Sequence, residues 1–362
     1  MEQPIQIADD IALLDLMMTE MSDAPENFRT TAYWEHYKNA TLDVLRTNGL
    51  HDLRRIKNAE ITSFGCYEGP LFSTVEELRQ KGLNDRDVDA IISFVKVLEK
   101  HPNLDFMPLG RSLSDILRLE LRALEMEAQL INPNTVSVFE LDGSLVGNPQ
   151  SKFCVDGNWY TQQLIEKYRL YLECFRVFDL TTVDTVVEIG AGMGQQIEIL
   201  HKLHPHLSFV IIDIPPQLYV SHQYLATVFG DDVVDYRKTN HGSLEDLEPG
   251  KLYFLGPWMI PRLKPRGWTL LWNARSFQEM SEKSIESYHN SFRNFAQGLF
   301  LMNRTKGFSK KFMAELGVTD RVDFDFYKSL FHEHYEFVDV ARWQTLNNPW
   351  WYRPMAWRHR NP

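Results

Sequence analysis

Along the first 150 or so residues the apolar positions recur at intervals of three and four, the repeat of helices that bury one face. Ile11, Leu14 and Met18 form one such stripe, and Ile91, Ile92, Val95 and Leu98 another. The clearest run is SLSDILRLELRALEMEAQLI, Ser112 to Ile131, where Ser112 or Ser114 can cap the helix start and Asn132-Pro133 ends it. This half reads as all helical: a cap over a site, a dimerisation arm or plain scaffold.

A different rhythm follows. Gly, Asn and Pro break the pattern in DGSLVGNPQ, Asp142 to Gln150, and CVDGNWY reads as more loop. An amphipathic helix then runs from about Thr161 to Phe178. From Thr185 onward, short β-rich runs (TVVEIG, SFVIID, KLYFL, WTLLWN, GLFLMN) alternate with helical segments through HKLH, from Gln217 and from Glu282. Such alternation predicts a parallel sheet with helices on both faces. Near the end, YEFVDVARW and PWWYRPMAWR are separated by only Gln344 to Asn348, too few residues for a parallel crossover, so they should pair antiparallel. The expected organisation is a helical cap or dimerisation region over 1–150, then an α/β domain over 151–362 whose mostly parallel sheet closes with an antiparallel C-terminal hairpin. Thr305 to Lys328 has no clear assignment.

Composition narrows the field of functions. The 362 residues, 44% hydrophobic and 24% charged, carry enough apolar matter to exclude a disordered chain. A formal net charge of −11 repels phosphate backbones and anionic lipid, so neither nucleic acid nor a membrane surface is an expected partner. Cys66, Cys154 and Cys174 are too far apart for a metal knuckle and read as reduced thiols. With no basic leader and no run of roughly 18 apolar residues, the expectation is a cytoplasmic protein.

The chemistry concentrates after residue 185. In Val186-Val187-Glu188-Ile189-Gly190-Ala191-Gly192-Met193-Gly194 an apolar strand enters alternating glycines and then a helix, a turn that lets backbone approach a ligand and presents unpaired N–H groups. Asp213 closes the next strand, where an acid suits the two hydroxyls of a ribose. The spacing is GxGxG, whereas a dinucleotide site reads GxGxxG. Glu188, two residues before the first glycine, would repel a pyrophosphate and suits the sulfonium and ammonium of S-adenosyl-L-methionine. A methyltransferase is favoured over a nicotinamide-dependent oxidoreductase; a methyltransferase-like binding partner without catalysis is the third reading.

VVEIGAGMG followed by VIIDIP resembles the first two motifs of class I S-adenosylmethionine-dependent methyltransferases. FLGPWMIPRL, WNARSFQEMSEKSIESYHNSF and LFLMNR are similar to the pattern of a sugar O-methyltransferase family, over about 145 to 310; Gly267-Trp268-Thr269 replaces the acidic opening usual before SFQEM. The resemblance implies a Rossmann-like fold and S-adenosyl-L-methionine as cofactor. It implies cofactor contacts from Glu188, Gly190, Ala191, Gly192, Gly194, Asp213, Ile214 and Trp258. The implied reaction is methyl transfer to a hydroxyl of a sugar, a nucleotide sugar or a sugar-bearing natural product.

Hydroxyl methylation needs in-line positioning and a proton acceptor. Glu279, just past the strand Thr269 to Asn273, is the first candidate base, and His241 in TNHGS, read as loop, is the second. Asn273, Ser276 and Gln278 are candidates for the acceptor's hydroxyls. His289 reads as a helix-surface residue. Asp231 and Asp232 could hold Mg²⁺ but equally suit a solvated loop, so no metal site is assigned. Of the terminal aromatics, Trp350, Trp351, Tyr352 and Trp357 read as sheet core more than as a sugar platform. A homodimer through the helical region is a further expectation.

Overall fold

Five apolar runs of the second half become parallel strands because each is buried on both faces, the environment that selects unbroken Val, Ile and Leu. The computed structural model describes residues 5–28, 30, 32–54, 105–106, 111–149, 152–241, 244–307, 322–338 and 352–360. Two short antiparallel pairs come first: β1 (Asp105–Phe106) with β2 (Arg111–Ser112), and β3 (Phe153–Val155) with β4 (Asn158–Tyr160). The main strands are β5 (Thr185–Ile189), β6 (Ser208–Ile212), β7 (Leu252–Leu255), β8 (Thr269–Ala274), β9 (Gly298–Arg304), β10 (Tyr335–Val338) and β11 (Tyr352–His359). They form one sheet in the order β10-β11-β9-β8-β5-β6-β7. Neighbours from β7 to β9 are parallel, whereas β11 lies antiparallel between β9 and β10. This is the expected mostly parallel sheet with its antiparallel C-terminal hairpin.

The described helices are α1 (Ile11–Ser22), α2 (Ala32–Asn48), α3 (Leu113–Ile131), α4 (Gln162–Phe175), α5 (Gln195–Leu203), α6 (Gln217–Phe229), α7 (Tyr236–His241), α8 (Glu282–Phe292) and α9 (Phe324–Phe331). Their starts obey capping chemistry: Asp10, Thr161 and Ser281 each accept a backbone N–H of the first turn of α1, α4 and α8. Helix α3 begins immediately after Ser112 and ends before Asn132, as its pattern predicts.

Several expectations need correction. CVDGNWY is a hairpin, with Asp156 and Gly157 at φ 52° and 96°, the left-handed pair that an Asp-Gly turn supplies. Helix α4 stops at Phe175. The first half is not purely helical, since β1 and β2 pair within it, and the stripe Ile91 to Leu98 lies outside the described residues. So do Trp350 and Trp351 and the side chain of Tyr352. Trp357 is sheet core, with ring contacts to Tyr327, Phe331 and Phe337. Within 305–328, α9 begins at Phe324.

The described part of 1–150 is bonded into the α/β half. Ser144 N–H donates to Glu198 Oε1 at 3.0 Å, Tyr236 donates its hydroxyl to Glu20 at 2.5 Å, and Arg237 pairs with Asp10 at 2.9 Å. One cluster of buried apolar side chains includes Leu13 and Leu14 of α1 together with the sheet. Among the described residues no helix is long and apolar enough to cross a membrane.

Candidate functional site

Strand β5 continues through α5 to β6 on one side, whereas β8 lies on its other side, so the sheet order reverses between β5 and β8. Ligands of open α/β sheets bind at this crevice, beyond the carboxyl ends of the strands. A cavity of about 280 Å³ lies there, lined by Glu188 of β5, Ile212 of β6 and Ala274 of β8 at the strand ends. The N-terminal half adds a wall of Asn27, Phe28, Thr30 and Trp34, and the Phe28 ring meets Tyr288 edge-on at 5.7 Å.

The glycine loop forms the floor. Gly190, Gly192 and Gly194 have φ of 76°, 59° and 86°, conformations that favour residues without a Cβ. Gly190 N–H donates to the Ile212 carbonyl at 2.7 Å, and Gly194 caps α5. Asp213 fastens the loop from the neighbouring strand: one carboxylate oxygen accepts Gly192 N–H and the other Ile214 N–H, each at 2.8 Å. A carboxylate oxygen has two lone pairs, so both retain accepting capacity toward the cavity.

Three carboxyls share this space. Burial, reinforced by Asp213, raises Glu188 to about 8 against the opposing pull of Lys167. Burial raises Asp213 to about 7 despite its two backbone donors. Burial, with Asp213 adding, raises Glu279 to about 8 against Arg304 and Arg275. Glu188 Oε2 and Gln217 Oε1 are buried with no hydrogen-bond partner among the described residues. A buried acceptor left unpaired is costly, so a cavity lined by two of them is built for a donor-bearing ligand.

Of the predicted cofactor residues, Glu188, Gly190, Ala191, Gly192, Asp213 and Ile214 line the cavity. Gly194 does not: it starts α5 and its backbone lies close to Leu225 and Ser221. Trp258 is also absent from the lining; its indole folds back against Gly256. Of the acceptor candidates, Asn273 lies beneath the site. It is fully buried, its Nδ2 donates to the Ile189 carbonyl at 2.7 Å and to Ser276 Oγ at 2.5 Å, and its Oδ1 accepts from Asn303 at 2.8 Å and Phe277 N–H at 3.3 Å. Four protein partners leave it nothing for a substrate. Ser276 and Gln278 reach the cavity, although Ser276 Oγ also donates to the Ile189 carbonyl and Gln278 Oε1 accepts Arg304 N–H.

Glu279 lines the cavity. His241 ends the short helix α7 instead of lying in a loop, and its side chain is outside the described residues. His289 is not a surface residue: it is buried among Phe292, Phe331, His334 and Tyr335, and burial lowers its pKa to about 4. Asp232 pairs with His201 and Lys251. Among the described residues no group of three His, Cys, Asp or Glu could hold a metal ion.

The sequence reading missed Lys167, Gln217 and Tyr288, and the wall from Asn27 to Trp34. Gln217 was findable, since it opens the helix directly after the Asp213 turn. Lys167 carried no signal beyond its place on an amphipathic helix.

The chain matches no family model and no curated protein. Its fold is similar to that of several solved structures. Against the pyocyanin biosynthetic protein PhzM the identity is 14% and the TM-score 0.35, over 52% of this chain and 53% of that one. Magnesium protoporphyrin IX methyltransferase from Synechocystis PCC 6803, with bound SAH, gives 10% and 0.39 over 54% and 84%. Human N-acetylserotonin methyltransferase with SAM gives 13% and 0.33 over 54% and 56%. The chain thus spans little more than half the length of PhzM and of the human enzyme.

Proposed function

We propose that the protein is an S-adenosylmethionine-dependent methyltransferase acting on a hydroxyl of a polar small molecule, a sugar or sugar-bearing compound by the motifs SFQEM and LFLMNR. The observation that carries the reading is Glu188: a buried carboxylate with an unpaired oxygen, at the switch point of the sheet, beside a GxGxG loop. An ammonium pairs with its ionised form, whereas a pyrophosphate would be repelled by that form, which sets a nicotinamide dinucleotide aside.

The residues present fit the cofactor. Glu188 faces the amino-acid end, Asp213 offers its remaining lone pairs to ribose hydroxyls, and Ala191, Gly192 and Ile214 bring backbone close to the ligand. When bound, the cofactor supplies an electrophilic methyl on a positively charged sulfur. Glu279 takes the proton from the acceptor's hydroxyl as its oxygen attacks; a base titrating near 8 is ionised in useful amount at neutral pH. Phe28, Trp34 and Tyr288 screen the reacting groups from water, and the N-terminal half thereby serves as the cap of the site. The test is methyl transfer from labelled S-adenosylmethionine to a panel of free sugars, nucleotide sugars, glycosides and non-sugar alcohols. Labelled product from the sugar members supports the reading; labelling confined to non-sugar acceptors overturns the sugar assignment, and none with any acceptor overturns the enzyme.

A further inference from the structure

The cavity contains two cationic side chains among its described lining residues, Lys167 of α4 and Arg275 just after β8. Arg275 already has a counter-ion, since its guanidinium bonds the Glu166 carboxylate. Lys167 is different: among the described residues its ammonium makes no hydrogen bond and no ion pair within 4.0 Å, although Glu188 and Glu166 lie near enough to act on it electrostatically. Burial and Arg275 hold its pKa below the ordinary lysine value against the opposing pull of Glu166 and Glu188, and no carboxylate among the described residues is close enough to pair with the ammonium. Glu188 shows the converse deficit, an acceptor without a donor.

An unpaired acceptor and an unpaired cation, facing one cavity from β5 and α4, are complementary to a ligand group that carries ammonium and carboxylate on neighbouring atoms. Resting on the reading of the site as a cofactor pocket, we infer that Lys167 is the residue that binds the α-carboxylate of the cofactor's amino-acid end while Glu188 receives its α-ammonium. Each unpaired group then gains its opposite charge, and the amino-acid end is fixed by two points instead of one. Arg275, held by Glu166, borders the site without competing for that carboxylate. The arrangement also gives α4 a function: its cap at Thr161 and the buried Leu164, Ile165 and Tyr168 anchor the turn that carries Lys167.

The experiment is a titration of the whole protein, and of Lys167→Met and Lys167→Arg, with two ligands: S-adenosylhomocysteine, which has the carboxylate, and its decarboxylated analogue, which lacks only that group. Charged hydrogen bonds of this kind are worth about 10- to 100-fold in affinity. Lys167→Met should weaken S-adenosylhomocysteine by that factor, leave the decarboxylated analogue unchanged, and be largely rescued by Lys167→Arg. A structural defect would weaken both ligands together, and that result, or no change with either, overturns the inference while leaving the cofactor pocket standing. If Lys167→Met does not fold, the two ligands on the parent decide: equal affinity means that no residue grips the carboxylate. Failure of the parent to bind S-adenosylhomocysteine at all overturns the site reading itself.

Discussion

Asp213 holds the glycine loop in place: its Oδ2 accepts the Gly192 N–H at 2.8 Å across the gap between neighbouring strands. The acid that follows β6 is therefore part of the loop's architecture, beside the ribose-binding role proposed for it. Asp213→Ala should weaken S-adenosylhomocysteine by about 1.5–3 kcal/mol and also lower stability, because the N–H groups of Gly192 and Ile214 lose their acceptor. Calorimetric affinity and thermal unfolding on the same sample check both effects; weakened binding at full stability would remove Asp213 from its fastening role.

A Cβ at Gly190 would collide with the Cβ and Oγ of Ser276. Gly190→Ala should therefore damage the fold first, by about 1–3 kcal/mol of backbone strain on top of the collision. Chemical denaturation of the variant is the check. A variant as stable as the parent, but unable to bind ligand, would mean that the glycine is needed for ligand clearance alone.

Asn273→Ala should behave as a core defect. It strips the partners from Asn303 Nδ2 and Phe277 N–H beneath β8 and costs about 2–4 kcal/mol, with little change in the KM of the acceptor in the fraction that folds. A large rise in acceptor KM with unchanged stability would restore Asn273 to substrate binding.

These residues show what sequence could and could not deliver. The parallel sheet, the antiparallel ending, the glycine loop and the Glu188, Asp213 and Glu279 carboxyls were legible because each depends on local pattern: apolar runs, turn residues, an acid at a strand end. Asn273 was misread because sequence shows its amide but not that Ile189, Ser276, Phe277 and Asn303 converge on it from three segments. His289 was misread for a related reason, since three of its aromatic neighbours come from residues 331–335, some forty positions away. Lys167 and the wall from Asn27 to Trp34 were invisible because the packing of α4 and of the N-terminal segment against the sheet ends is a long-range fact.

The pKa of Glu279 gives the reaction a pH signature. A carboxyl raised to about 8 is mostly protonated at pH 6 and ionised above pH 8, so at saturating cofactor the acceptor's kcat/KM should climb with pH and level off above about 8. Glu279→Gln should lower the single-turnover rate roughly 10²- to 10⁴-fold and abolish that limb. An unchanged rate and profile would mean that acceptor positioning suffices without this base.

The central claim, a cofactor cation at Glu188, is tested most directly by calorimetric titration of S-adenosylhomocysteine into the parent and into Glu188→Gln, at pH 7 in buffers of different ionisation heat. Glu188 is mostly protonated at pH 7 when the site is empty, because its pKa is raised to about 8, and must ionise to meet the ligand's ammonium. Binding to the parent should be saturable and should release a proton; Glu188→Gln should bind at least about ten times more weakly, the worth of one charged hydrogen bond, and should lose the Glu188 share of that release. No binding of S-adenosylhomocysteine to the parent, or equal affinity and equal proton release in both proteins, would contradict the account.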